Sequence, residues 1–370
     1  MSAPTATDHP LASTPRTVLV LGGGLLGSCT AWALLQRGHR VRLIDPDHAD
    51  GGSWAALGVL MAQVFHRTSG RAWRLRQRSL ELWRRWIPAL EARGHHLPWR
   101  SGLLLLADDA DAEQRLRRLA LDRQALQLPV SLWEPERLAA LAPALPGPAR
   151  LALHSPADGQ LDPGAAIAAF RSDALRVGLE WIRDRAVALE PLAAGGWRVR
   201  RMGGDPLEAE WLVLAAGLEG QRLLDPLGLA FPLEPVLGQA LELELAADDP
   251  AAPALGWPGV VNWQGINLIP RPDLPGGRRL WLGATLEPGA CSDPDRLAAL
   301  ACLHGQAPPW LRRAQILRQW QGLRPRPLGR PAPLLEQPLP GLLLAGGHYR
   351  NGVLLAPATA AWVCEQLERP

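Results

Sequence analysis

Lysine is absent from this 370-residue chain, so all 39 basic side chains are arginine. They are offset by 36 acidic residues, which leaves a formal net charge of only +3 at pH 7. So small a charge does not supply the strongly basic face that nucleic-acid binding requires. The interleaved arginines and tryptophans of residues 71–93 therefore indicate an amphipathic helix with a solvated arginine face, and no nucleic-acid partner is expected.

Cysteine is scarce as well, with four residues, no C-x-x-C spacing and no nearby paired histidines. This excludes a disulfide framework and predicts buried, reduced thiols and no metal site. No apolar run reaches the roughly eighteen residues that span a bilayer. The leader, residues 1–16, lacks the apolar core of a signal peptide, so we expect a disordered tail on a soluble, cytoplasmic protein.

The strongest local pattern lies in residues 17–45, which read as an apolar strand, a glycine turn, an amphipathic helix and a second strand. Gly22 permits the tight turn, Gly24 lets the backbone approach a pyrophosphate, and Gly27 lets the helix pack against the sheet. The free N–H groups at the start of the helix attract anions without any lysine. The order of elements predicts a dinucleotide-binding unit.

Asp45 ends the second strand of this unit, 23 positions after Gly22. A carboxylate there can accept both hydroxyls of an adenosine ribose, which favours FAD or NAD over NADP. A second strand, glycine turn and helix occur at the C-terminal end, in residues 342–367. An NAD enzyme rarely needs its extreme C-terminus to complete the cofactor site, so a longer dinucleotide such as FAD is favoured.

At 370 residues the chain suits two domains, and its alternating helices and strands indicate an α/β protein that is α+β overall. Several motifs resemble the D-amino-acid oxidase superfamily, and within it the glycine oxidases of thiamine biosynthesis. The resemblance extends from about residue 17 to residue 367. It is carried by Gly22-x-Gly24-x-x-Gly27, Pro235-Val-Leu-Gly238-Gln, Ile269-Pro-Arg271, Gly283-Ala-Thr-Leu-Glu-Pro-Gly289, Gly322-Leu-Arg324-Pro325 and the segment Gly347–Thr359.

The resemblance implies noncovalently held FAD, a Rossmann-like FAD-binding domain and a discontinuous antiparallel-sheet domain for the substrate. The FAD-binding domain would comprise residues 17–85, 150–228 and 325–370. The substrate-binding domain would comprise residues 86–149 and 229–324.

The resemblance also implies roles for individual residues. Arg324 matches the arginine that pairs with the substrate carboxylate, Arg350 matches a second pocket arginine, and Asn267 stands where the family has a substrate-facing tyrosine. A guanidinium suits a carboxylate because its fork meets both oxygens and keeps its charge. The implied cofactor contacts are Gly22, Gly24, Leu25, Leu26, Gly27, Asp45, Pro46, Gly52, Ser53, Leu57, Gly58, Val59, Val187, Gly217, His348, Tyr349, Arg350, Asn351, Gly352, Val353 and Leu354.

Four positions depart from the family pocket: Asn267, Trp54, Met61 and Leu286. The implied reaction is oxidation of a small amino or imino acid at Cα, with hydrolysis of the resulting imine to an oxo acid and reduction of O2 to hydrogen peroxide. Two alternatives stay open: a dehydrogenase of D-amino acids or other amines that passes electrons to a quinone or carrier, and a noncatalytic FAD-binding subunit. The oligomeric state is also open, with a homo-oligomer as one alternative.

Overall fold

The structure, a computed structural model, describes residues 14–47, 51–246 and 256–369. Most of the predicted leader, residues 1–13, lies outside the described residues. Arg16, at the end of that leader, donates a hydrogen bond to Glu210 at 3.1 Å.

The helices of the described residues include both long packing helices and single turns. In chain order they are α1 (Leu25–Gln36), α2 (Gly70–Glu91), α3 (Ala110–Ala125), α4 (Pro135–Ala139), α5 (Pro163–Arg176), α6 (Gly220–Leu224), α7 (Pro294–Ala301), α8 (Pro309–Arg312) and α9 (Gly352–Leu367). Short 3-10 turns occur at Gly217–Glu219, Asp225–Leu227, Leu303–Gly305 and Tyr349–Asn351.

The strands form three sheets. In chain order they are β1 (Thr17–Leu21), β2 (Arg40–Ile44), β3 (Val59–Leu60), β4 (Trp99–Ala107), β5 (Ser131–Trp133), β6 (Leu151–Leu161), β7 (Glu180–Ile182), β8 (Ala186–Pro191), β9 (Trp197–Arg201), β10 (Leu207–Ala209), β11 (Trp211–Leu214), β12 (Leu233–Glu244), β13 (Val260–Trp263), β14 (Ile266–Arg271), β15 (Arg279–Gly283), β16 (Glu287–Pro288), β17 (Gln315–Pro327), β18 (Leu334–Leu339) and β19 (Leu342–Gly346).

The first sheet has the order β18-β19-β11-β1-β2-β7 and is parallel except for the β18–β19 pair. Val18 and Val20 face a core built with α1, α2, α5 and α9. Leu19 and Leu21 face the antiparallel sheet β8-β9-β10 on the other side. Because both faces are covered, β1 is apolar at almost every position.

The second large sheet has the order β16-β12-β15-β14-β13-β4-β6-β3, with β17 paired to β12 and β5 paired to β6. All its pairs are antiparallel except β4–β13. One face packs against α7 and α8 through residues such as Leu241 and Leu282. The opposite face carries Trp281 and Trp320 and packs against Leu57, just before β3. This is the face that Asn267 and Arg324 share.

The helices predicted within residues 17–45, 71–93 and 342–367 are present as α1, α2 and α9, and β14 and β15 form a hairpin. No strand was predicted at residues 151–161, where Leu151–Leu161 forms β6 and pairs with β4. The strands β7 and β8 follow each other closely in the chain but lie in different sheets. The domain division stays a proposal, since β6 falls in the range 150–228 yet joins the large sheet.

The prediction of buried thiols is wrong for two of the four cysteines. Cys29 and Cys364 are buried, whereas Cys291 and Cys302 are exposed and none of them is in a disulfide. Burial raises the pKa of Cys364 to about 12, which keeps this thiol protonated. Among the helices that the structure describes, none combines the length and the apolar character needed to cross a membrane.

Candidate active site

The glycine turn after β1 is fixed by backbone contacts. Gly22 has φ +102° and donates its N–H to Ile44 O at 2.9 Å. A Cβ on Gly27 would lie 1.7 Å from Gly22 O, and one on Gly22 would lie 2.6 Å from Ala215 O. Larger residues at these two positions would push apart the strand and the helix. The turn therefore delivers the start of α1 to the carboxyl edge of the parallel sheet, where such folds bind ligands.

The first turn of α1 can receive an anion. It contains no acidic side chain, and Gly24 is its N-cap. Leu25 N–H donates to Ser53 Oγ at 3.1 Å, while the N–H groups of Leu26 and Gly27 find no acceptor among the described residues. Free N–H groups and the helix dipole together suit a pyrophosphate. These residues fit the diphosphate of a dinucleotide.

Asp45 lies directly beside this turn. Its Oδ2 accepts the Gly23 N–H at 2.6 Å, and its Oδ1 accepts the Asp47 N–H at 2.8 Å. Each carboxylate oxygen has two acceptor positions, so both can still accept a ribose hydroxyl. Pro46 follows at once and leads the chain away from the strand. The arrangement is compatible with the predicted ribose contact.

Arg171, on α5, also contacts the glycine turn, although no sequence motif indicates it. Its Nη2 donates to Gly23 O at 2.9 Å and its Nη1 to Asp47 Oδ1 at 2.8 Å. Its guanidinium stacks on Trp181, 4.1 Å from the ring centroid. Gly23 is thus held by Asp45 at its N–H and by Arg171 at its C=O. The signal was missed because 148 positions separate Arg171 from Gly23.

The predicted second FAD segment runs between the glycine turn and the large sheet. Ser53 contacts the turn, as described above, whereas a Cβ on Gly52 would lie 2.5 Å from Leu323 O of β17. Leu57 Cδ1 lies 3.0 Å from the position of a Cβ on Gly283. Gly58 has φ +75° and packs against Leu161 O, and Val59 pairs with Gln160. The positive φ and the tight packing explain the glycine at 58 without a cofactor contact.

The C-terminal motif forms a turn followed by α9. The helix begins at Gly352, so its N-terminus falls within the predicted flavin segment. Pro357 has no N–H, and Val353 O instead accepts from Trp83 Nε1 at 3.2 Å. Ser79 Oγ accepts from Ala358 N–H and donates to Leu354 O. Two side chains of α2 therefore anchor the start of α9.

Arg76 corrects the interpretation of the arginine-rich helix α2. This arginine is buried, donates to Asn351 Oδ1 at 2.9 Å and lies 3.7 Å from the centroid of Phe65. Burial lowers the pKa of Arg76 to about 10, with a further contribution from Arg67, against the opposing attraction of Asp158. Arg76 therefore holds the C-terminal turn in place. Other arginines of α2 are solvated, as predicted.

His348 is a buried neutral residue at the start of this turn. Its Nε2 lies 2.7 Å from Thr359 Oγ1. Burial, together with the positive charge of Arg71, lowers the pKa of His348 to about 3. Tyr349 follows with φ +54°, a conformation that turns the chain into α9. The ring of His348 therefore ties the turn to the helix and carries no charge at neutral pH.

Arg324 lies on β17, half-buried, above Gly238 of the neighbouring strand. A Cβ on Gly238 would lie 2.0 Å from Arg324 Nη2. Its Nη1 donates to Leu237 O at 3.1 Å and to Thr285 O at 3.2 Å. Burial and the neighbouring Arg350 lower the pKa of Arg324, while Tyr349 and Glu287 act in the opposite direction. The C-terminal turn and β17 therefore meet at this guanidinium.

Arg324 and Arg350 form no ion pair with any carboxylate of the described residues. About half of the described arginines do, including Arg326, two positions further along β17. Arg350 repels Arg324, Glu287 attracts it without forming an ion pair, and an added carboxylate would offset the repulsion. The pair can therefore bind an anionic ligand between the sheet and the C-terminal turn.

Asn267 lies on β14 opposite Gly283, on the same face of the sheet as Arg324. Asn262 Nδ2 donates to Asn267 Oδ1 at 2.8 Å, so two amides stand side by side.

Two predicted cofactor contacts, Val187 and Gly217, have not yet been placed. Val187 is exposed at a register irregularity of β8. Gly217 begins the 3-10 turn that follows β11, with φ +57° and open space where a Cβ would lie.

A parallel sheet with a glycine turn, a carboxylate at the end of the second strand and a second, mostly antiparallel sheet are the arrangement expected of a dinucleotide-dependent oxidoreductase. The family model for FAD dependent oxidoreductases, the D-amino-acid oxidase family, matches residues 17–366. The chain belongs to this family, and the FAD dependence expected from its sequence is supported. The glycine turn described above fits the cofactor.

Relatives with the most extensive similarity include glycine oxidases. The chain is 29% identical to glycine oxidase of Geobacillus kaustophilus over 366 residues, covering 95% of this chain and 93% of that one. The crystal structure of glycine oxidase from the same organism superposes with a TM-score of 0.84 at 27% identity, covering 96% of this chain and 95% of that one. These similarities support a glycine oxidase-like FAD oxidoreductase.

A different relative is the tRNA 5-methylaminomethyl-2-thiouridine biosynthesis bifunctional protein MnmC of Paracidovorax citrulli. The chain is 34% identical to it over 305 residues, which cover 79% of this chain and 45% of that protein. The crystal structure of iminodiacetate oxidase from Chelativorans sp. has the same fold, with a TM-score of 0.81 at 24% identity, covering 95% of this chain and 96% of that one. A glycine oxidase and an iminodiacetate oxidase thus share this fold.

Proposed function

We propose that this protein oxidises a small amino or imino acid at Cα, using noncovalently bound FAD and passing the electrons to O2. The observation that carries this proposal is the Arg324–Arg350 pair, which has no carboxylate partner among the described residues. Only Nη1 of Arg324 is hydrogen-bonded within the described residues, so the remaining donors of this guanidinium can bind an added anion. A substrate carboxylate is an anion that fits.

The cofactor would be held by three segments. The glycine turn and α1 would bind the pyrophosphate, Asp45 the ribose, and the segments at 52–59 and 348–354 the rest of the molecule. The contact between Leu25 and Ser53 joins the first two segments. When bound, FAD supplies the acceptor for a hydride from the substrate Cα.

The side chains then orient the substrate. Arg324 would bind both carboxylate oxygens, which leaves Cα at a fixed distance from the guanidinium plane. The amine must be neutral for its lone pair to assist the departure of the hydride. No side chain is proposed as a general base, since His348 is buried and already bonded to Thr359. The imine product would leave and hydrolyse in water.

The substrate is proposed to be glycine or a small relative of it. The long similarity to glycine oxidases supports this class. Asn267 replaces the tyrosine implied by the family resemblance, and its amide is paired with Asn262. An amide is smaller than a phenol, so we expect more room beside Arg324 and a preference for a substituted amine such as sarcosine or proline over glycine. The thiamine-pathway role and the cytoplasmic location remain part of this proposal.

The test is anaerobic mixing of the purified yellow protein with glycine, sarcosine, proline and D-amino acids. Loss of the flavin absorbance identifies the substrate, and its recovery when air is admitted supports an oxidase. Recovery only with an added quinone would favour the dehydrogenase alternative. If no amine bleaches the flavin of a fully loaded protein, the noncatalytic alternative gains and the proposal fails.

A further inference from the structure

Glu287, on β16, carries a buried carboxylate that the proposed oxidation does not use. The residue is 3% exposed, and it forms no ion pair with any arginine or histidine of the described residues. A carboxylate buried without a cation is costly unless hydrogen bonds satisfy it. The groups that hydrogen-bond to Glu287 therefore indicate which part of the fold depends on this charge.

The hydrogen-bond partners of this carboxylate within the described residues are all donors. Oε1 accepts from Gln239 Nε2 at 3.0 Å and from the Thr285 hydroxyl, and Oε2 accepts from the Asp293 N–H at 2.7 Å. An ionised carboxylate only accepts hydrogen bonds, whereas one end of a glutamine amide only donates them. A glutamine at position 287 would turn its NH2 group toward a donor in either orientation of the amide. The partners therefore require a carboxylate.

Thr285 connects this carboxylate to Arg324. Its hydroxyl donates to Glu287 and accepts from the Gln239 N–H at 2.7 Å, while its own N–H donates to Gln239 O at 3.0 Å. Its carbonyl oxygen accepts from Arg324 Nη1 at 3.2 Å. Thr285 is thus held by buried neighbours and presents its carbonyl oxygen to the guanidinium that we propose for the substrate carboxylate.

The carboxylate and the guanidinium lie on opposite faces of β12. Arg324 lies above Gly238, and side chains alternate along a strand, so Gln239 points to the other face. There Gln239 Nε2 reaches Glu287 and also Asp293 O, at 3.0 Å, where α7 begins. Glu287 therefore supports Arg324 from behind the strand. The donors of Arg324 other than Nη1 stay available to a ligand.

We propose that Glu287 is a positioning residue for the substrate carboxylate and acts on Arg324 through Thr285. The inference rests on the function proposed for Arg324. Glu287 fixes Thr285, and the carbonyl oxygen of Thr285 fixes Nη1, so the other donors meet a ligand in one orientation. A fork that meets both oxygens of a carboxylate tolerates little displacement. Leu286, between Thr285 and Glu287, is one of the four positions that depart from the family pocket, which agrees with a network beside the substrate site.

Positioning and charge have opposite effects on ligand binding. The negative charge of Glu287 by itself repels a bound carboxylate, so removal of the charge alone would tighten binding. Removal of the support for Arg324 would weaken binding. We expect the second effect to dominate, because the charge lies behind β12 whereas a displaced guanidinium acts at the ligand itself.

The test uses acetate as the probe, because acetate carries a carboxylate but no amine that could be oxidised. Isothermal titration calorimetry of the FAD-loaded protein measures its dissociation constant. Thr285→Val removes the hydroxyl without a change of charge and should weaken binding about three- to tenfold, and Glu287→Gln should weaken it about tenfold. The double variant should bind within about twofold of Glu287→Gln, because the two residues act in series.

Three controls separate positioning from a general loss of structure. Thr285→Ser keeps the hydroxyl and should bind acetate within about twofold of the parent. Glu190→Gln, at a surface ion pair with Arg200 on another sheet, removes a charge and should leave the affinity unchanged. The dissociation constant of FAD should stay within about twofold in every variant, which a disrupted fold would not allow.

The Arg324→Ala variant distinguishes failure of this inference from failure of the proposed function. Equal acetate binding by Arg324→Ala and the parent would overturn the proposed carboxylate site, and this inference with it. If Arg324→Ala loses acetate but Thr285→Val and Glu287→Gln keep the parent affinity, only the inference is overturned. Tighter binding by Glu287→Gln would also overturn it. If Glu287→Gln does not fold, the comparison of Thr285→Val with Thr285→Ser decides.

Discussion

The guanidinium of Arg324 occupies the space that a side chain at position 238 would need, since a Cβ on Gly238 would lie 2.0 Å from Arg324 Nη2. The two residues face each other across the β12–β17 pair, two positions apart in register. The glycine of the Pro235–Gln239 motif is thus explained by the arginine that it accommodates. The position of that arginine depends on a residue 86 places earlier in the chain.

Gly238→Ala should therefore damage substrate binding without removing FAD. The methyl group would displace the guanidinium from its bonds to Leu237 O and Thr285 O, and we expect KM for the amino acid to rise at least about tenfold. Arg324→Ala sets the upper limit, because loss of a buried charged partner costs about 2–5 kcal/mol. Steady-state kinetics and the flavin content measure both effects. Unchanged KM in both variants would refute the carboxylate role.

Asp45→Ala should weaken FAD binding. The carboxylate holds the N–H groups of Gly23 and Asp47 and is expected to accept the ribose hydroxyls. We expect the dissociation constant of FAD to rise about tenfold or more, measured by fluorescence titration of the apoprotein. Purification of this variant with a full complement of flavin would contradict the ribose assignment.

Arg171→Met tests a residue that only the fold brings to the cofactor site. Methionine retains much of the apolar stem that packs near Trp181 but cannot donate to Gly23 O. We expect weaker FAD binding by about three- to tenfold, with little change in KM for the amino acid. Arg200→Met, at an exposed ion pair on β9, is the matched control. Equal affinity in both variants would show that the clamp on Gly23 is dispensable.

Ser79→Ala should lower the free energy of unfolding by about 1–3 kcal/mol, because Ala358 N–H and Leu354 O would both lose a buried partner. Chemical denaturation measures the change. Ser172→Ala, at an exposed position of α5, should change stability by less than about 0.5 kcal/mol. A loss equal to that of the control would mean that water replaces the hydroxyl.

His348 should make stability depend on pH. Its folded-state pKa of about 3 lies below the ordinary value of 6.5. Between these two pH values His348 is protonated in the unfolded chain and neutral in the folded chain. Stability therefore falls as the pH drops below 6.5, by about 2 kcal/mol at pH 5. In His348→Gln this part of the slope should disappear, while other buried histidines such as His39 still contribute. Identical slopes in the two proteins would place the acid sensitivity elsewhere.

Several features could be predicted from the sequence because they depend on local spacing and on steric requirements. The glycine turn, the acid 23 positions later and the C-terminal glycine motif each depend on residues close together in the chain. The family resemblance added Arg324 and Arg350, and the family model and the glycine oxidase fold support the FAD-dependent class. The strand β6 was missed because Ser-Pro and Asp-Gly in residues 155–159 are typical of turns.

The sequence by itself determined the dinucleotide unit, because its strand, glycine turn, helix and acid are close together in the chain and in a fixed order. The tertiary structure alone decided which distant side chains complete the site. Arg171 reaches Gly23, Arg76 reaches Asn351, and Arg324 reaches Thr285. These contacts depend on sheet register and helix packing, which arise from the burial of many apolar residues at once and leave no local pattern in the chain.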